Sequence, residues 1–352
     1  MKVAVLGNGQ LGAMLQEAGL RIGVDVTTLN IDGDTLPDND TIITAEREHW
    51  PTNAFTQAIE NHPNWLNKAT FAALANRISQ KKLLDQLGLA TSPWLELNPS
   101  ISQEAIHQKL GPDVFLKRAS GGYDGYGQLR IKQATPTDLS AWQNDVIAEQ
   151  AINFDGEVSI IGARNRQGET VFYRLTENRH TNGILIISLS QPARHAQLQA
   201  QAEQMLSTVM NALDYVGVMA MECFMVGGKL MVNEIAPRVH NSAHWTQAGA
   251  SISQFELHLR AVCGLHLAQP VQTGSSMMVN LIGVPYNPDW LKHGAARLHW
   301  YGKDWRAGRK MGHLNFHHPD PAQLRQWLTE LELPEQFQSA KEWALNNLGA
   351  TA

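Results

Sequence analysis

Two glutamates on either side of a glycine pair constrain the fold more than any other feature of this chain. Glu222 lies in the apolar stretch 216–224, Glu234 lies in the stretch 229–238, and both stretches have the composition of strands. Gly227 and Gly228 between them are typical of a tight reversal. Carboxylates on neighbouring apolar strands are costly to bury unless a cation meets them, and a divalent ion bound to nucleotide phosphates takes oxygen ligands of this kind. The pattern therefore predicts a β-hairpin with a metal site.

This metal site sets a condition on the register of the hairpin. Side chains of a strand alternate between faces, so a regular two-residue turn at Gly227-Gly228 would place Glu222 and Glu234 on opposite faces. A shared face requires a loop with an odd number of residues, or a bulge near the turn. The alternative, two solvent-exposed glutamates on an edge strand, fits less well because apolar residues surround both positions.

The composition excludes several classes of protein. The 352 residues are 43% hydrophobic and 17% charged, which is typical of globular chains and sufficient for two or three packed domains. A net charge of −5 gives no reason to expect a nucleic-acid or anionic-membrane partner. Cys223 and Cys263 lack the spacing of a zinc site or a disulfide framework, and they indicate a reducing compartment. There is no apolar run of membrane-spanning length and the N-terminus already has a strand pattern, so we expect a cytoplasmic protein.

The first part of the chain alternates strand and helix. The pattern predicts strands at 2–6, 24–29 and 41–45, an amphipathic helix at 10–22, and one long helix at 70–87. We therefore assign residues 1–92 to a parallel α/β, Rossmann-like domain.

The rest of the chain predicts three further blocks. Residues 93–160 contain strands near 114–117, 128–131 and 146–150, and they form a small lid-like domain. The pattern of residues 161–266 predicts mostly antiparallel strands with helices at 195–213 and 252–263. This block includes the predicted hairpin of Glu222 and Glu234, called the metal hairpin below. Residues 267–352 predict short strands and a polar terminal helix in a small C-terminal domain.

The first glycine loop is G-N-G-Q-L-G at positions 7–12, after a strand and before a helix. This is the context of a dinucleotide fingerprint, which would make the protein an oxidoreductase. Such a fingerprint also needs an acidic residue at the end of the second strand. Neither candidate fits well, because Asp25 comes too early and Asp32 lies beyond the strand. We interpret the loop as a helix N-terminus that binds a single phosphate. A tight turn without any ligand is the remaining alternative.

The second glycine loop is more specific. Residues 121–127 contain four glycines and directly follow the predicted strand that ends at Lys117. Such a loop suits a mobile flap whose backbone N–H groups cover phosphates, with the lysine as a further phosphate contact. No G-K-[ST] follows, so the loop is not a Walker loop. A flexible hairpin tip would explain the glycines but not the lysine placed before them.

In this order, the features resemble the ATP-grasp superfamily, in which a lid and an antiparallel sheet enclose ATP. The resemblance depends on Lys117, the flap at 121–128, the segment 149–152, Glu157 and the Glu222/Glu234 pair. Finer motifs resemble the N5-carboxyaminoimidazole ribonucleotide synthetase family of purine biosynthesis over essentially the whole chain. They are G-N-G-Q-L-G at 7–12, I-T-A-E at 43–46, G-G-Y-D-G at 121–125, N-E-I-A-P-R-V-H-N-S at 233–242 and G-R-K-M-G-H at 308–313.

The resemblance implies an ATP site that spans the lid and the metal hairpin. The backbone of residues 149–152 would meet the adenine edge, and Glu157 would hold the ribose hydroxyls. The implied ATP-binding residues are Arg77, Lys117, Gly122, Tyr123, Asp124, Gly125, Tyr126, Gly127, Gln128, Glu149, Gln150, Ala151, Ile152, Glu157, His180, Asn233 and Glu234. Family members often carry lysine or arginine at the position of Tyr126. The tyrosine either weakens phosphate clamping or leaves it to Lys117 and the backbone.

The resemblance also implies the substrates and the reaction, which is ATP- and bicarbonate-dependent carboxylation of 5-aminoimidazole ribonucleotide through carboxyphosphate. The implied substrate-binding residues are Gly9, Gln10, Leu11, Glu46, Lys303, Arg309 and Lys310. The implied catalytic residues are Arg238, His240, Asn241, Tyr123 and Asp124. His240 would either orient bicarbonate or move the amine proton. Glu222 and Glu234 would hold two Mg²⁺ ions with ATP as cosubstrate, and the active form would be a homodimer.

Three other functions remain in competition at this level. One is a sister ATP-grasp ligase, such as formate-dependent glycinamide ribonucleotide transformylase. The motifs G-G-Y-D-G and R-V-H-N-S disfavour it, and so does the shorter length of this chain. An oxidoreductase built on the first glycine loop would retain NADH and need neither ATP nor Mg²⁺. An ATP-binding regulatory module with a decayed site has Tyr126 as its only support.

Overall fold

Three β-sheets organise the chain in the computed structural model, which describes residues 1–121 and 127–349. The predictions on Gly122, Tyr123, Asp124, Gly125 and Tyr126 lie outside the described residues. No helix in the described ranges is long and apolar enough to cross a membrane.

The N-terminal sheet is parallel, as the sequence predicts. Its strands are β1 (Lys2–Leu6), β2 (Asp25–Leu29) and β3 (Ile42–Ala45), in the order β2-β1-β3. Helix α1 (Gln10–Ile22) follows β1 and ends at Gly23, whose left-handed conformation terminates the helix. Helices α2 (Ala54–Glu60), α3 (Lys68–Leu74) and α4 (Arg77–Gln86) complete this part.

The single long helix predicted at 70–87 is wrong. The Asn76 side chain accepts hydrogen bonds from the backbone N–H groups of Ile78 and Ser79, which caps a new helix after α3. Arg77 is therefore the first residue of α4 rather than a mid-helix residue. The asparagine was a visible capping signal that the apolar periodicity obscured.

The lid consists of a four-stranded antiparallel sheet in the order β4-β7-β5-β6. Its elements are β4 (Trp94–Glu96), α5 (Gln103–Leu110), β5 (Asp113–Arg118), β6 (Gln128–Lys132) and β7 (Val146–Gln150). Strands β5 and β6 are paired, and Lys117 lies opposite Gln128.

The third sheet has nine strands in the order β13-β12-β8-β10-β11-β14-β16-β15, with β9 paired to β8. These strands are β8 (Gly156–Arg164), β9 (Thr170–Phe172), β10 (Thr176–Thr181), β11 (Ile184–Ser190), β12 (Gly217–Val226), β13 (Lys229–Ala236), β14 (Ser275–Ile282), β15 (Arg297–Trp300) and β16 (Lys310–His318). Its helices are α6 (Ala196–Ala212), α7 (Thr246–Gly249), α8 (Gln254–Val262), α9 (Pro321–Glu330) and α10 (Gln338–Asn347). Strands β14 to β16 continue this sheet beyond residue 266, so the domain division expected there separates strands of one sheet. The division itself stays a prediction.

Strand β12 shows why the site lies on one face of this sheet. Met219 and Met221 point into the core beneath α6, where each buried side chain contributes about 1.5–3 kcal/mol. Val218 and Ala220 point the other way, into the core formed with α1 and α8. On that second face the apolar packing stops at Glu222, whose side chain lines an open cavity.

Candidate functional site

A β-bulge brings the two glutamates of the hairpin onto one face. The Gly227-Gly228 turn has two residues, and Val226 pairs with Lys229 across it. The register shifts between Cys223 and Glu222, so that Glu222 pairs directly with Glu234. The expected bulge is therefore present, but it lies at Asn233, away from the turn. Because a bulge interrupts alternation, the consecutive residues Asn233 and Glu234 both line the cavity.

The paired carboxylates differ in their electrostatic surroundings. Burial raises the pKa of Glu222 to about 7. Burial opposes ionisation of Glu234 as well, but the charge of Arg77 and other nearby cations outweighs it and lowers the pKa of that carboxyl. Arg77 Nη1 donates to Glu234 Oε2 at 2.9 Å. Glu234 is therefore already neutralised by a cation, while Glu222 has His180 and Lys310 as its nearby charged groups and His240 Nε2 at 3.9 Å from its Oε1.

One cavity of about 900 Å³ brings together most of the predicted site residues. The predicted residues that line it are Gln10, Leu11, Glu46, Arg77, Lys117, Gly127, Gln128, Glu149, Gln150, Ile152, Glu157, His180, Glu222, Asn233, Glu234, Arg238, His240, Asn241 and Lys310. Four described residues of the prediction do not line it, namely Gly9, Ala151, Lys303 and Arg309. The Ala151 N–H donates to the carbonyl oxygen of Asp113 at 3.0 Å, which places its backbone in the lid instead.

Lys117 is positioned by a buried carboxylate. Its ammonium group contacts one oxygen of Glu149, and the ammonium of Lys81 contacts the other. Burial acts to raise the pKa of Glu149, but the two lysines outweigh it and lower the value to about 2. The Glu149 side chain is thus ionised and held by the two lysines. A contact between the backbone of residues 149–152 and the adenine stays a prediction.

Glu157 and His180 form a pair at the other side of the cavity. His180 Nδ1 contacts the carboxylate of Glu157. Burial acts to lower the pKa of His180, but the Glu157 and Glu222 carboxylates outweigh it and raise the pKa. His180, one of the predicted ATP-binding residues, is therefore held against Glu157, the predicted ribose-binding carboxylate.

Three residues that follow Glu234 in the chain present hydrogen-bonding groups near the glutamate pair. Arg238 Nε lies 2.8 Å from Glu48 Oε1. His240 Nδ1 lies 2.9 Å from Ser242 Oγ, and burial and the charge of Arg238 hold its pKa well below the ordinary value. The buried side-chain amide of Asn241 has no hydrogen-bond partner among the described residues. An unsatisfied amide in a cavity wall is costly unless a ligand meets it.

The N-terminus of α1 holds a carboxylate from within the chain. The Gly9 N–H donates to one oxygen of Glu46, and the Gly12 N–H donates to the other at 2.6 Å. The expected single phosphate would have to share this helix terminus with Glu46. The neighbouring cations are Lys310, which lines the cavity, and Lys303, whose Nζ donates to Gln10 Oε1 at 2.6 Å.

Arg309 is placed less directly. Its Nη1 donates to the carbonyl oxygen of Asp304 at 3.0 Å, within its own loop.

Sequence reasoning missed several residues that line the cavity and one that lies behind its wall. Phe154 and Phe224 stack with ring centroids 4.7 Å apart, and both line the cavity beside the expected adenine segment. Glu48 was missed as the partner of Arg238, and Lys81 as the partner of Glu149. Only Lys81 carried a local signal, since it follows Arg77 by one helical turn.

The hairpin fits a hard divalent cation. Among the described residues no group of three or more His, Cys, Asp or Glu side chains could hold a metal. Two opposed carboxylates, Glu222 and Glu234, line a cavity large enough for a nucleotide. Mg²⁺ usually takes one or two protein carboxylates and completes its shell with phosphate oxygens and water, so the donor set suits Mg²⁺ better than a metal that needs a full protein cage.

Comparisons with known proteins agree with this geometry. The sequence profile of the ATP-grasp domain matches residues 82–255, and that of the phosphoribosylaminoimidazole carboxylase C-terminal domain matches residues 276–327. The N5-carboxyaminoimidazole ribonucleotide synthase of Escherichia coli strain K12 is 49% identical over 353 residues, which cover 99% of each chain. That of Haemophilus influenzae is 49% identical over 98% of this chain and 97% of its own.

Solved structures show the same fold. The crystal structure of N5-carboxyaminoimidazole ribonucleotide synthetase from Thermus thermophilus has a TM-score of 0.83 and 35% identity, and the match covers 94% of this chain and 99% of that chain. The Aspergillus clavatus enzyme, in complex with ADP and 5-aminoimidazole ribonucleotide, has a TM-score of 0.81 and 25% identity over 98% of both chains. The fold is thus an ATP-grasp fold, and this chain belongs to the N5-carboxyaminoimidazole ribonucleotide synthase family.

Proposed function

We propose that the 900 Å³ cavity catalyses the carboxylation of 5-aminoimidazole ribonucleotide to N5-carboxyaminoimidazole ribonucleotide, with ATP and bicarbonate as cosubstrates and ADP and phosphate as products. This is an ATP-dependent ligase reaction of purine biosynthesis. The observation that carries the proposal is the bulged hairpin, which sets Glu222 and Glu234 opposite each other in the cavity wall shared by Lys117 and the Arg238–Asn241 segment.

ATP would lie between the lid and the hairpin. Its phosphates would meet Lys117, Arg77 and the flap, and its adenine would meet the backbone of residues 149–152. The stacked pair of Phe154 and Phe224 supplies apolar area for the base, and Glu157 supplies two acceptor oxygens for the ribose hydroxyls.

Glu222 and Glu234 would hold two Mg²⁺ ions together with the phosphate oxygens of ATP. When bound, Mg²⁺ neutralises charge that develops on the transferring phosphoryl group. Arg77 pairs with Glu234 in this structure, so it lies where it can contact both the metal site and the phosphates. Lys117 and Arg238 add fixed positive charge, which stabilises a phosphoryl-transfer transition state without any covalent enzyme intermediate.

The carboxylation would proceed in two steps. An oxygen of bicarbonate attacks the γ-phosphorus, the bond from that phosphorus to the bridging oxygen breaks, and carboxyphosphate and ADP form. The exocyclic amine of the ribonucleotide then bonds to the carboxyl carbon, directly or after CO₂ is released inside the cavity, and phosphate leaves. The amine loses one proton in this step.

The Arg238–Asn241 segment would bind the carboxyl group between these steps. The unpartnered amide of Asn241 can donate to one oxygen and accept from a hydroxyl, while Arg238 supplies charge. His240 is neutral near pH 7 because burial and Arg238 lower its pKa, so it can orient bicarbonate or accept the amine proton.

The ribonucleotide would bind at the α1 end of the cavity. Glu46 would accept hydrogen bonds from hydroxyl or amine groups, and Lys310, which lines the cavity, would contact the 5′-phosphate. Lys303 and Arg309 do not line the cavity in this structure, so they would have to turn towards it to join Lys310. The Gly9–Leu11 turn would then act through Glu46 and through Gln10. We also propose, from the family resemblance, a cytoplasmic homodimer, and sedimentation of the purified protein would test the dimer.

ADP release from Mg·ATP tests the function directly. The rate should depend on both bicarbonate and 5-aminoimidazole ribonucleotide, and it should stop when the metal is chelated. Glycinamide ribonucleotide with formate is the control for the sister ligase, and NADH retention is the control for an oxidoreductase. Turnover that ignores both bicarbonate and 5-aminoimidazole ribonucleotide would refute the proposal.

A further inference from the structure

Helix α4 presents two cations on one face towards two different parts of the cavity wall. Arg77 and Lys81 are four residues apart, and such residues are neighbours on a helix surface. Arg77 pairs with Glu234 of the hairpin, and Lys81 pairs with Glu149 of the lid. The reaction described above uses Arg77 and leaves Lys81 without a role.

Lys81 is fully integrated into the structure. It is only 3% exposed, and its Nζ lies 2.5 Å from Thr91 Oγ1 as well as against Glu149. Thr91 Oγ1 donates in turn to the carbonyl oxygen of Val232 at 2.9 Å, next to the bulge in β13. Lys81 therefore joins α4, the lid and the hairpin through charged and polar contacts.

The charges of the cavity wall show why this lysine matters for an anionic ligand. Of the described residues that line the cavity, six are Lys or Arg and six are Glu. The wall alone thus offers no net positive charge to a polyphosphate. Lys117, the wall cation at the base of the flap, is moreover neutralised by its contact with Glu149. Lys81 lies behind Glu149, outside the wall, and returns the group of Lys81, Glu149 and Lys117 to one net positive charge.

We propose that Lys81 is a positioning residue for the phosphate-binding lysine, because it holds one oxygen of Glu149 and so leaves Lys117 with uncompensated positive charge for the phosphates of ATP. Without Lys81, both oxygens of Glu149 are available to Lys117, and the pair becomes neutral and draws the ammonium group away from the cavity. This inference rests on the proposed function of the cavity as an ATP site.

A purely stabilising role for Lys81 makes different predictions. If it only filled and neutralised a buried position, then removing its partner Glu149 in addition would leave ATP binding no better than the single change. In our proposal the double variant Lys81→Met/Glu149→Gln regains one net positive charge through Lys117. Its ATP affinity should therefore recover relative to Lys81→Met.

The experiment measures Mg·ADP binding by titration calorimetry and steady-state KM values for ATP and 5-aminoimidazole ribonucleotide. The variants are Lys81→Met, Lys81→Arg and the double variant. The matched control is Lys82→Met, on the same helix, because Lys82 is 56% exposed and pairs with Glu96 at the surface. Lys81→Gln, which keeps a donor, replaces Lys81→Met if the latter is recovered unfolded.

We expect Lys81→Met to weaken Mg·ADP binding and raise the KM for ATP on the order of ten- to a hundredfold, the loss of one charge-assisted contact. The KM for 5-aminoimidazole ribonucleotide should stay within about twofold, Lys81→Arg and the double variant should recover most of the ATP affinity, and Lys82→Met should match the wild type. The inference would be overturned if Lys81→Met raised the KM values for ATP and for 5-aminoimidazole ribonucleotide equally. It would also be overturned if the double variant bound Mg·ADP no more tightly than Lys81→Met. A wild-type protein that does not bind Mg·ADP would instead refute the proposed function.

Discussion

Glu149→Gln removes the negative charge that lies between two lysines, and its effect on stability can be worked out from the structure. The carboxylate is 3% exposed and contacts the ammonium groups of both Lys81 and Lys117. An amide of the same shape keeps the packing but leaves the lysines facing each other without a counter-charge. Breaking a buried ion pair from one side typically costs about 3–5 kcal/mol.

The pKa of Glu149 leads to the same magnitude. The lysines lower it from 4.5 to about 2, against the opposing effect of burial. A difference of this size corresponds to about 3 kcal/mol of folding free energy. Because the folded-state value is the lower one, this stability is fully present above the unfolded value of 4.5 and is lost as the pH falls towards 2. The deficit of the variant should therefore be largest near about pH 6 and shrink below 4.5.

Urea unfolding followed by tryptophan fluorescence, at a series of pH values between about 3.5 and 6, measures this deficit. Glu96→Gln is the matched control, since Glu96 is 50% exposed and pairs with Lys82 at the surface, where a pair contributes about 0–1 kcal/mol. A Glu149→Gln variant within about 1 kcal/mol of the wild type at pH 6 would refute the reasoning. So would a deficit that grows as the pH falls.

Four further substitutions test the active site. Glu222→Gln or Glu234→Gln should lower ADP release on the order of a hundredfold or more while calorimetry still detects 5-aminoimidazole ribonucleotide; unchanged turnover would remove the metal assignment. Gly9→Ala places a methyl group 2.8 Å from Glu46 Oε1 and should raise the KM for the ribonucleotide about tenfold, with the KM for ATP unchanged. His240→Ala should keep Mg·ATP affinity but lose on the order of 10²–10³ in kcat, and wild-type coupled activity would contradict its role.

Local patterns in the sequence were sufficient for most elements of the fold. The parallel strands of the first domain, the helix after the first glycine loop and the strand β7 match the predicted positions because hydrophobic period and turn residues act over short distances. The parity of strand pairing required either a loop with an odd number of residues or a bulge near the turn, and the hairpin has a bulge, although it lies at Asn233. The helix predicted at 70–87 failed for a local reason, since Asn76 as a capping residue outweighed continuous periodicity.

The sequence by itself thus determined the family resemblance and the set of candidate site residues, because residue type and the order of motifs can be read along the chain. Only the tertiary structure decided which charges meet. Arg77 and Glu234 are 157 positions apart, and Lys81 reaches Glu149 from a helix outside the lid. It likewise decided that the bulge lies at Asn233 and that Glu46 occupies the end of α1. Such contacts depend on the path of the whole chain. The sequence shows which residues are charged, but two charges interact strongly only when folding brings them within a few ångströms of each other.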